Sequence, residues 1–412
     1  MTSELRRTLG VFDAVVIGLG SMIGAGVFVA LGPAAGAAGS GAGLLWALGL
    51  AAAVAYCNAM ASARLAARYP ASGGTYVYGR ERLGSFWGYL AGWAFVVGKT
   101  ASCAAMALTV GAYLWPGREQ LVAVAAVVAL TAVNYAGVQK SALLTRILVA
   151  LVLAVLAGVV AVSFGAGGTG LPAFGGEVAA GGVLQAAGLL FFAFAGYARI
   201  ATLGEEVRDP ARTIPRAVPL ALGIALAVYG LVAVGTLVSL GPAALAHSPA
   251  PLADAARASG ADWLVPLVTV GAAVAALGSL LSLILGVSRT TLAMARDGYL
   301  PAGLTPVHPR FQVPHRAELA VGAVVAVVAA TVDVRGAIGF SSFGVLVYYG
   351  IANASAWTLG GRNRLLAVLG LAGCGSLAFA LPPGAVLAGS GVLAAGVVAW
   401  AVTRDRAAPP TP

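Results

Sequence analysis

Charged residues are scarce in this sequence. Only 9% of its 412 residues are Asp, Glu, Lys or Arg, whereas 60% are hydrophobic. Soluble domains carry about 25% charged residues. A chain this apolar would expose a large hydrophobic surface to water, so its composition predicts an all-α protein that crosses the lipid bilayer several times.

Cysteine and histidine are also scarce, with three residues of each. Cys57, Cys103 and Cys374 stand far apart inside apolar runs, a pattern that favours neither a disulfide nor a metal site. No nucleophile and base stand together in a motif typical of an enzyme. We therefore expect no enzymatic activity, no bound metal and no cofactor.

Twelve hydrophobic segments predict membrane spans, since a span needs roughly 20 apolar residues. The ninth and eleventh segments are the shortest. In chain order, spans 1 to 12 are predicted at 11–31, 41–63, 84–115, 119–137, 143–164, 181–203, 217–240, 262–292, 317–332, 336–358, 364–381 and 384–402.

The basic residues predict the orientation of these spans. If the N-terminus is cytoplasmic and the spans alternate, 19 of the 24 Lys and Arg residues lie on the cytoplasmic side and only three lie outside. This bias is the positive-inside rule, and it predicts cytoplasmic N- and C-termini in the plasma membrane. It also accounts for the net charge of +10 without a nucleic acid partner.

Span 1 contains an unusual run of glycines between Gly18 and Phe28, with four glycines in nine residues. Each glycine weakens a helix by roughly 1 kcal/mol relative to alanine. A break at Gly24, Ala25 and Gly26 would offer backbone N–H groups and the positive end of a half-helix to a carboxylate. A small-residue packing face explains the same segment equally well.

Span 6 contains a second interruption in the aromatic run from Phe191 to Tyr197. An unwound turn near Ala193 to Gly196 would present carbonyl oxygens to an ammonium group, although an aromatic core helix is the alternative. Transporters with inverted repeats carry interrupted helices at corresponding positions of their two halves. Spans 1 and 6 correspond if each repeat holds five spans, so the pair favours a binding site.

Three motifs together carry a family resemblance. They are the run from Gly18 to Phe28, the sequence YPASGGTYVY at 69–78, and the run from Phe191 to Tyr197 continuing through 204–216. In this order they resemble the amino acid–polyamine–organocation superfamily. The resemblance implies a single membrane domain over 1–412, with a first repeat at 1–164, an inverted second repeat at 181–358 and two extra helices at 364–402.

The resemblance also implies a function and a site. It implies an amino acid permease, a secondary transporter working by alternating access through proton symport or exchange, with lipid and a small amino acid as its partners. The substrate carboxylate would meet backbone amides of span 1, the ammonium would meet carbonyls of spans 1 and 6, and Phe194 would act as a gate. The implied residues are Ile23, Gly24, Ala25, Gly26, Phe192, Ala193, Phe194 and Gly196.

Lys99 departs from the family pattern. It lies midway along span 3, where a charge costs at least ~2.5–3.5 kcal/mol. Some proton-coupled members carry a lysine in helix five, but span 5 has no ionisable residue between 147 and 162. We hypothesise that Lys99 is the coupling cation. Lasting pairing with a carbonyl, or snorkelling of the side chain to the membrane surface, is the other explanation.

The remaining expectations are less specific. The side-chain pocket is expected at Ala101, Ser102 and Cys103 of span 3 together with spans 8 and 10, and its small apolar walls favour neutral amino acids. Asp13 and Glu318 are interpreted as boundary charges. Further expectations are an inner gate between Arg199 and Glu205 or Glu206, and sodium coupling through Ser279 or Ser282 as an alternative to protons. A polyamine carrier and a non-transporting amino acid sensor remain alternative functions.

Overall fold

The computed structural model describes residues 9–69, 73–137, 142–166, 175–201, 207–361 and 363–403. Within these ranges every regular element is a helix, and one parallel bridge joins Leu9 to Val207. All twelve predicted spans coincide with helices. They are Val11–Met22 with Ala25–Val29, Gly41–Arg68, Ser85–Leu114, Glu119–Tyr135, Ala142–Gly165, Ala180–Phe194 with Ala198–Ala201, Pro210–His247, Val265–Arg296, His315–Thr331, Val334–Trp357, Arg364–Ala380 and Pro383–Thr403.

Nine helical segments of the described chain are long and apolar enough to cross a membrane. The other three predicted spans, numbers 4, 9 and 11, have 17 residues each. At 1.5 Å per residue such a helix is about 25 Å long, near the lower limit for a span. The architecture is therefore that of a polytopic helical membrane protein.

Spans 1 and 6 are the two broken helices, as predicted. Span 1 stops at Met22 and restarts at Ala25, because Ile23 and Gly24 leave the helical conformation. Span 6 changes to a 3₁₀ turn over Ala195–Tyr197 before its last helical segment. The unwound turn expected near Ala193 to Gly196 is thus a tighter turn that overlaps this range and begins two residues later, since the N–H of Ala195 still bonds the carbonyl of Phe191.

Short loop helices connect the spans. They are Leu31–Ala38 after span 1, Thr75–Leu83 after span 2 and Pro251–Ala258 after span 7, and further 3₁₀ turns lie at Asp262–Leu264 and Ala302–Leu304. The first part of the YPASGGTYVY motif, 70–72, lies outside the described residues, whereas its last four residues begin the second of these helices.

The Thr75–Leu83 helix makes hydrogen bonds to span 10 and to Asp297, the residue that follows span 8. The Tyr76 hydroxyl donates to the carboxylate of Asp297, and Arg80 Nη1 lies 3.1 Å from the same group. The N–H of Thr75 donates to the hydroxyl of Tyr348 at 3.1 Å. Burial, and then the bond to Asp297, raise the pKa of Tyr76 well above its ordinary value, so this hydroxyl keeps its proton.

Spans 3 and 10 approach each other through small residues. A Cβ on Gly344 would lie 2.9 Å from the Cα of Gly98, so no larger residue fits between the two backbones. The hydroxyls of Ser102 and Ser341 are 2.5 Å apart and share a hydrogen bond. Close packing of this kind is typical of helices in lipid, and it fixes the position of Lys99 next to Gly98.

Candidate functional site

The break in span 1 leaves backbone donors at the start of a new helical segment. Ile23 and Gly24 still donate their N–H groups to Leu19 and Met22, at 2.7 and 2.8 Å. The Ala25–Val29 segment then begins at Gly24 without a side-chain cap. The first N–H groups of a helix have no acceptor within it, so this buried end offers donors and a positive dipole end.

The two breaks pack directly against each other through glycines. A Cβ on Gly26 would lie 2.6 Å from the Cα of Ala193, and a Cβ on Gly196 would lie 2.7 Å from the amide nitrogen of Met22. A Cβ on Gly24 would collide with the Ser279 hydroxyl of span 8. The glycine run is therefore both a helix break and a packing face, and the two explanations of its sequence are not exclusive.

The carbonyl oxygens near the breaks accept hydrogen bonds from side chains of neighbouring spans. Tyr229 of span 7 donates its hydroxyl to Met22 at 2.6 Å and to Ala193 at 3.0 Å. Tyr349 of span 10 donates to Ala195 at 3.2 Å. The sequence reasoning missed both tyrosines. Their signal was their place within apolar spans, because a buried Tyr hydroxyl usually finds a partner.

Lys99 reaches the same turn of span 6. Its ammonium nitrogen lies 3.4 Å from the carbonyl oxygen of Ala195, and the residue is only 7% exposed. Among the described residues no carboxylate lies within 4.0 Å of it. The structure thus shows the carbonyl pairing that we considered as one explanation, and the burial of Lys99 does not fit snorkelling to the surface.

The aromatic residues of span 6 are part of the packed interior. Phe194 is fully buried, and its ring meets Tyr229 edge to face at 5.1 Å between centroids. Phe191 is equally buried and packs on Tyr349, while Phe192 keeps 7% exposure. The predicted gate residue Phe194 therefore contacts the tyrosine whose hydroxyl bridges the two breaks.

An apolar cluster surrounds Ala25 beyond the break. It consists of Val110 from span 3 with Ala273 and Ala276 from span 8, and Met106 and Leu277 pack against it.

Of the pocket residues expected on span 3, none belongs to this cluster. Ser102 is bonded to Ser341 instead, and Cys103 and Ala101 are buried elsewhere in the core. The reason is helical geometry, because Met106 and Val110 lie further along span 3 than the residues we expected.

A small cavity of about 30 Å³ lies on the other side of the break. Gly20, Ile23 and Ser279 are among its lining residues. The Ser279 hydroxyl is buried and has no hydrogen-bond partner among the described residues, whereas Ser282 bonds the carbonyl of Gly278. A cavity of this size has room for a water molecule.

The structure gives different results for the three charged residues whose roles the sequence suggested, Asp13, Glu318 and Arg199. Asp13 pairs with Arg146 of span 5, so it joins two spans at one end of the bundle. Glu318 lies in the first turn of span 9, but it is fully buried and neither carboxylate oxygen has a hydrogen-bond partner in the described part of the chain. The acidic partners expected for Arg199, at 205 and 206, lie outside the described residues.

Comparison with known proteins places the chain among transporters. A family model described as amino acid permease matches residues 9–409. An uncharacterized transporter of Mycobacterium tuberculosis is 71% identical, over 97% of this chain and 92% of its own length. The vacuolar cationic amino acid transporter 4 of Arabidopsis thaliana is 30% identical, over 84% of this chain and 62% of its own.

One permease and one solved structure are similar to the chain at lower sequence identity. The branched-chain amino acid permease BcaP of Bacillus subtilis is 27% identical, over 76% of this chain and 72% of its own. The solved structure of MhsT in complex with L-phenylalanine has the same fold, with a TM-score of 0.62 at 16% identity, covering 96% of this chain and 99% of MhsT. Because the family model matches nearly the whole sequence, the chain belongs to the amino acid permease family of multi-span membrane transporters.

Proposed function

We propose that this permease is a secondary active transporter that moves free amino acids across the plasma membrane by alternating access, with both termini in the cytoplasm. The observation that carries the proposal is the uncapped helix start at Gly24, packed through Gly26 on Ala193 of the second broken helix. A zwitterion needs hydrogen-bond donors and acceptors side by side. Two adjoining helix breaks supply both without a charged side chain.

Each end of the substrate is assigned to one set of backbone groups. The carboxylate binds at the helix start formed by Gly24, Ala25 and Gly26, where the half-helix dipole favours negative charge. Its donors are the amides of Ala25 and Gly26, because the N–H of Gly24 is bonded to the Met22 carbonyl. The ammonium binds carbonyls of Ile23 and of the segment from Phe192 to Phe194. Phe194 covers the bound substrate, and Gly196 allows the two spans to approach.

The substrate class proposed for this site is the neutral amino acids. The cluster around Ala25 is apolar, and the ammonium of Lys99 would repel a cationic side chain placed near Ala195. The Arabidopsis relative is named a cationic amino acid transporter, and the Bacillus relative a branched-chain permease. Our proposal agrees with the second name and differs from the first.

Binding and uptake measurements test the proposed function. The purified protein is screened by thermal shift against the twenty amino acids, their methyl esters and polyamines, and uptake is then measured in proteoliposomes. We expect neutral amino acids to bind and to be transported, while their methyl esters compete poorly because they lack the carboxylate. Competition by polyamines or esters would favour an amine carrier, and binding without flux would favour a sensor.

Lys99 is the proposed coupling residue, through proton symport or exchange. Burial in an apolar interior disfavours an ammonium that has no carboxylate beside it. Loss of its proton would weaken its bond to Ala195 and leave Tyr349 as the main donor to that carbonyl at the break in span 6. Protonation of Lys99 is thereby linked to the hydrogen bonding of the Ala195 carbonyl at the break in span 6.

A Lys99→Met variant should transport with a rate that no longer depends on pH, measured by proteoliposome uptake between pH 5 and 9 in sodium and in choline buffers. The matched control is Tyr349→Phe, which removes the other donor to Ala195 but leaves the lysine in place. Its pH profile should stay like that of the wild type. An unchanged profile in Lys99→Met rejects the coupling role, and uptake that requires sodium favours an ion site beside Ser279.

A further inference from the structure

One hydroxyl in the middle of the bundle touches both broken helices. Tyr229 lies in span 7 and is only 2% exposed. Its oxygen is 2.6 Å from the carbonyl oxygen of Met22 and 3.0 Å from that of Ala193. The edge-to-face contact with Phe194, at 5.1 Å, fixes the orientation of its ring.

The two carbonyls occupy equivalent places in the two broken spans. Met22 is the last residue of its helical segment, and Ala193 is the last but one of Ala180–Phe194. The Met22 carbonyl also accepts a hydrogen bond from the N–H of Gly24 at 2.8 Å, so the Tyr229 hydroxyl is its second donor. Tyr229 therefore ties the two breaks together through one carbonyl of each.

The chemistry of the hydroxyl limits what it can do. A Tyr hydroxyl has one proton, so it donates to one of the two carbonyls at a time or shares the proton between them. The Met22 oxygen has two lone pairs and already accepts from Gly24 and Tyr229, so it has no free acceptor capacity. The ammonium of an amino acid therefore has to bind neighbouring carbonyls of the two breaks, which are those assigned above on Ile23 and on the segment from Phe192 to Phe194.

We propose that Tyr229 is a positioning residue, which holds the ends of spans 1 and 6 so that the carbonyls of Ile23 and Ala193 lie where the substrate ammonium requires them. The proposal rests on the proposed amino acid function and deepens it, because it assigns the alignment of the two breaks to a residue outside both broken helices. Substrate binding and the relative position of spans 1 and 6 are then coupled through one hydroxyl.

A second tyrosine provides a matched control. Tyr113 of span 3 is 5% exposed, and its hydroxyl donates to the carbonyl of Phe28 at 2.9 Å. It also packs its ring on that residue, edge to face at 5.7 Å. Tyr113→Phe therefore removes an equally buried bond between a tyrosine and a span-1 carbonyl, but one that lies away from the break.

The experiment compares Tyr229→Phe and Tyr113→Phe in proteoliposomes. For a transported amino acid we expect the KM of Tyr229→Phe to rise roughly 10-fold, with the maximal rate changed less than about twofold, as for loss of one buried hydrogen bond. The KM of Tyr113→Phe should stay close to that of the wild type. Thermal melting of both variants records any general loss of stability.

A second readout separates positioning from a purely structural role. Inhibition by the des-amino analogue, a carboxylic acid without the ammonium, should be equally strong in Tyr229→Phe and the wild type, because the carboxylate end of the site is intact. If Tyr229→Phe loses affinity equally for the amino acid and for the analogue, the proposal is overturned. An unchanged KM of Tyr229→Phe for the amino acid also overturns it. If no amino acid binds the wild type, the proposed function itself fails, which is a separate result.

Discussion

Gly196→Ala is the sharpest test of how spans 1 and 6 are packed. The new methyl group would overlap the carbonyl oxygen of Ser21 and lie 2.7 Å from the amide nitrogen of Met22. Both neighbours are backbone atoms, so no side-chain rotation relieves the overlap. Spans 1 and 6 must move apart at this point.

The size of the effect follows from the distances. Carbon and oxygen atoms in contact rest at roughly 3.3 Å, so the two backbones must separate by about 1 Å. Adding a methyl group to a well-packed interior costs about 1–3 kcal/mol. Because the strain lies between the two breaks, we expect it to weaken amino acid affinity by about 5- to 150-fold.

The assay is equilibrium binding of the amino acid to purified protein, together with thermal melting. Gly230→Ala is the matched control, because Gly230 lies in span 7 beside Tyr229 and a Cβ there would meet open space. Gly230→Ala should bind the amino acid as tightly as the wild type does. Its melting temperature should be slightly higher, since alanine stabilises a helix interior by roughly 0.5–1 kcal/mol relative to glycine. If Gly196→Ala binds as tightly as Gly230→Ala, the contact between the two breaks does not shape the site.

Two further variants test contacts outside the site. Asp297→Asn should lower the melting temperature, at a cost of about 1–2 kcal/mol, because the carboxylate holds both Tyr76 and Arg80; an unchanged melting curve would contradict the clamp by the Thr75–Leu83 helix. Glu318→Leu should raise the melting temperature, because it removes two buried oxygens without partners and their cost of about 1–3 kcal/mol. Glu318→Gln keeps a polar group at this buried position, so its melting temperature should rise less. A lower melting temperature for Glu318→Leu would show that the carboxylate has a partner.

Much of this fold follows from sequence because a membrane span has a length requirement. Every predicted span matches a helix, including the 17-residue Arg364–Ala380, and the glycines of span 1 predicted the break at Gly24. The break in span 6 was predicted only approximately, at Ala193 to Gly196, because the bond between Ala195 and Phe191 prolongs the helix and glycine content alone does not show it.

The sequence alone also did not predict the tertiary contacts of the site. Tyr229 is one apolar-flanked tyrosine among twelve in the chain, and only the three-dimensional packing brings its hydroxyl to Met22. The burial of Glu318 was not predicted for a similar reason. It lies at the start of a span, as expected, but the neighbouring helices cover it completely.

The glycine contacts between spans 1 and 6 also decide where substrate preference can change. Gly26 and Gly196 admit no side chain, so this part of the molecule offers no room for adaptive substitution. The cluster of Val110, Ala273 and Leu277 carries side chains of several sizes around Ala25. Laboratory evolution toward bulkier or smaller amino acids should therefore collect its substitutions on spans 3 and 8, while the glycines stay constant.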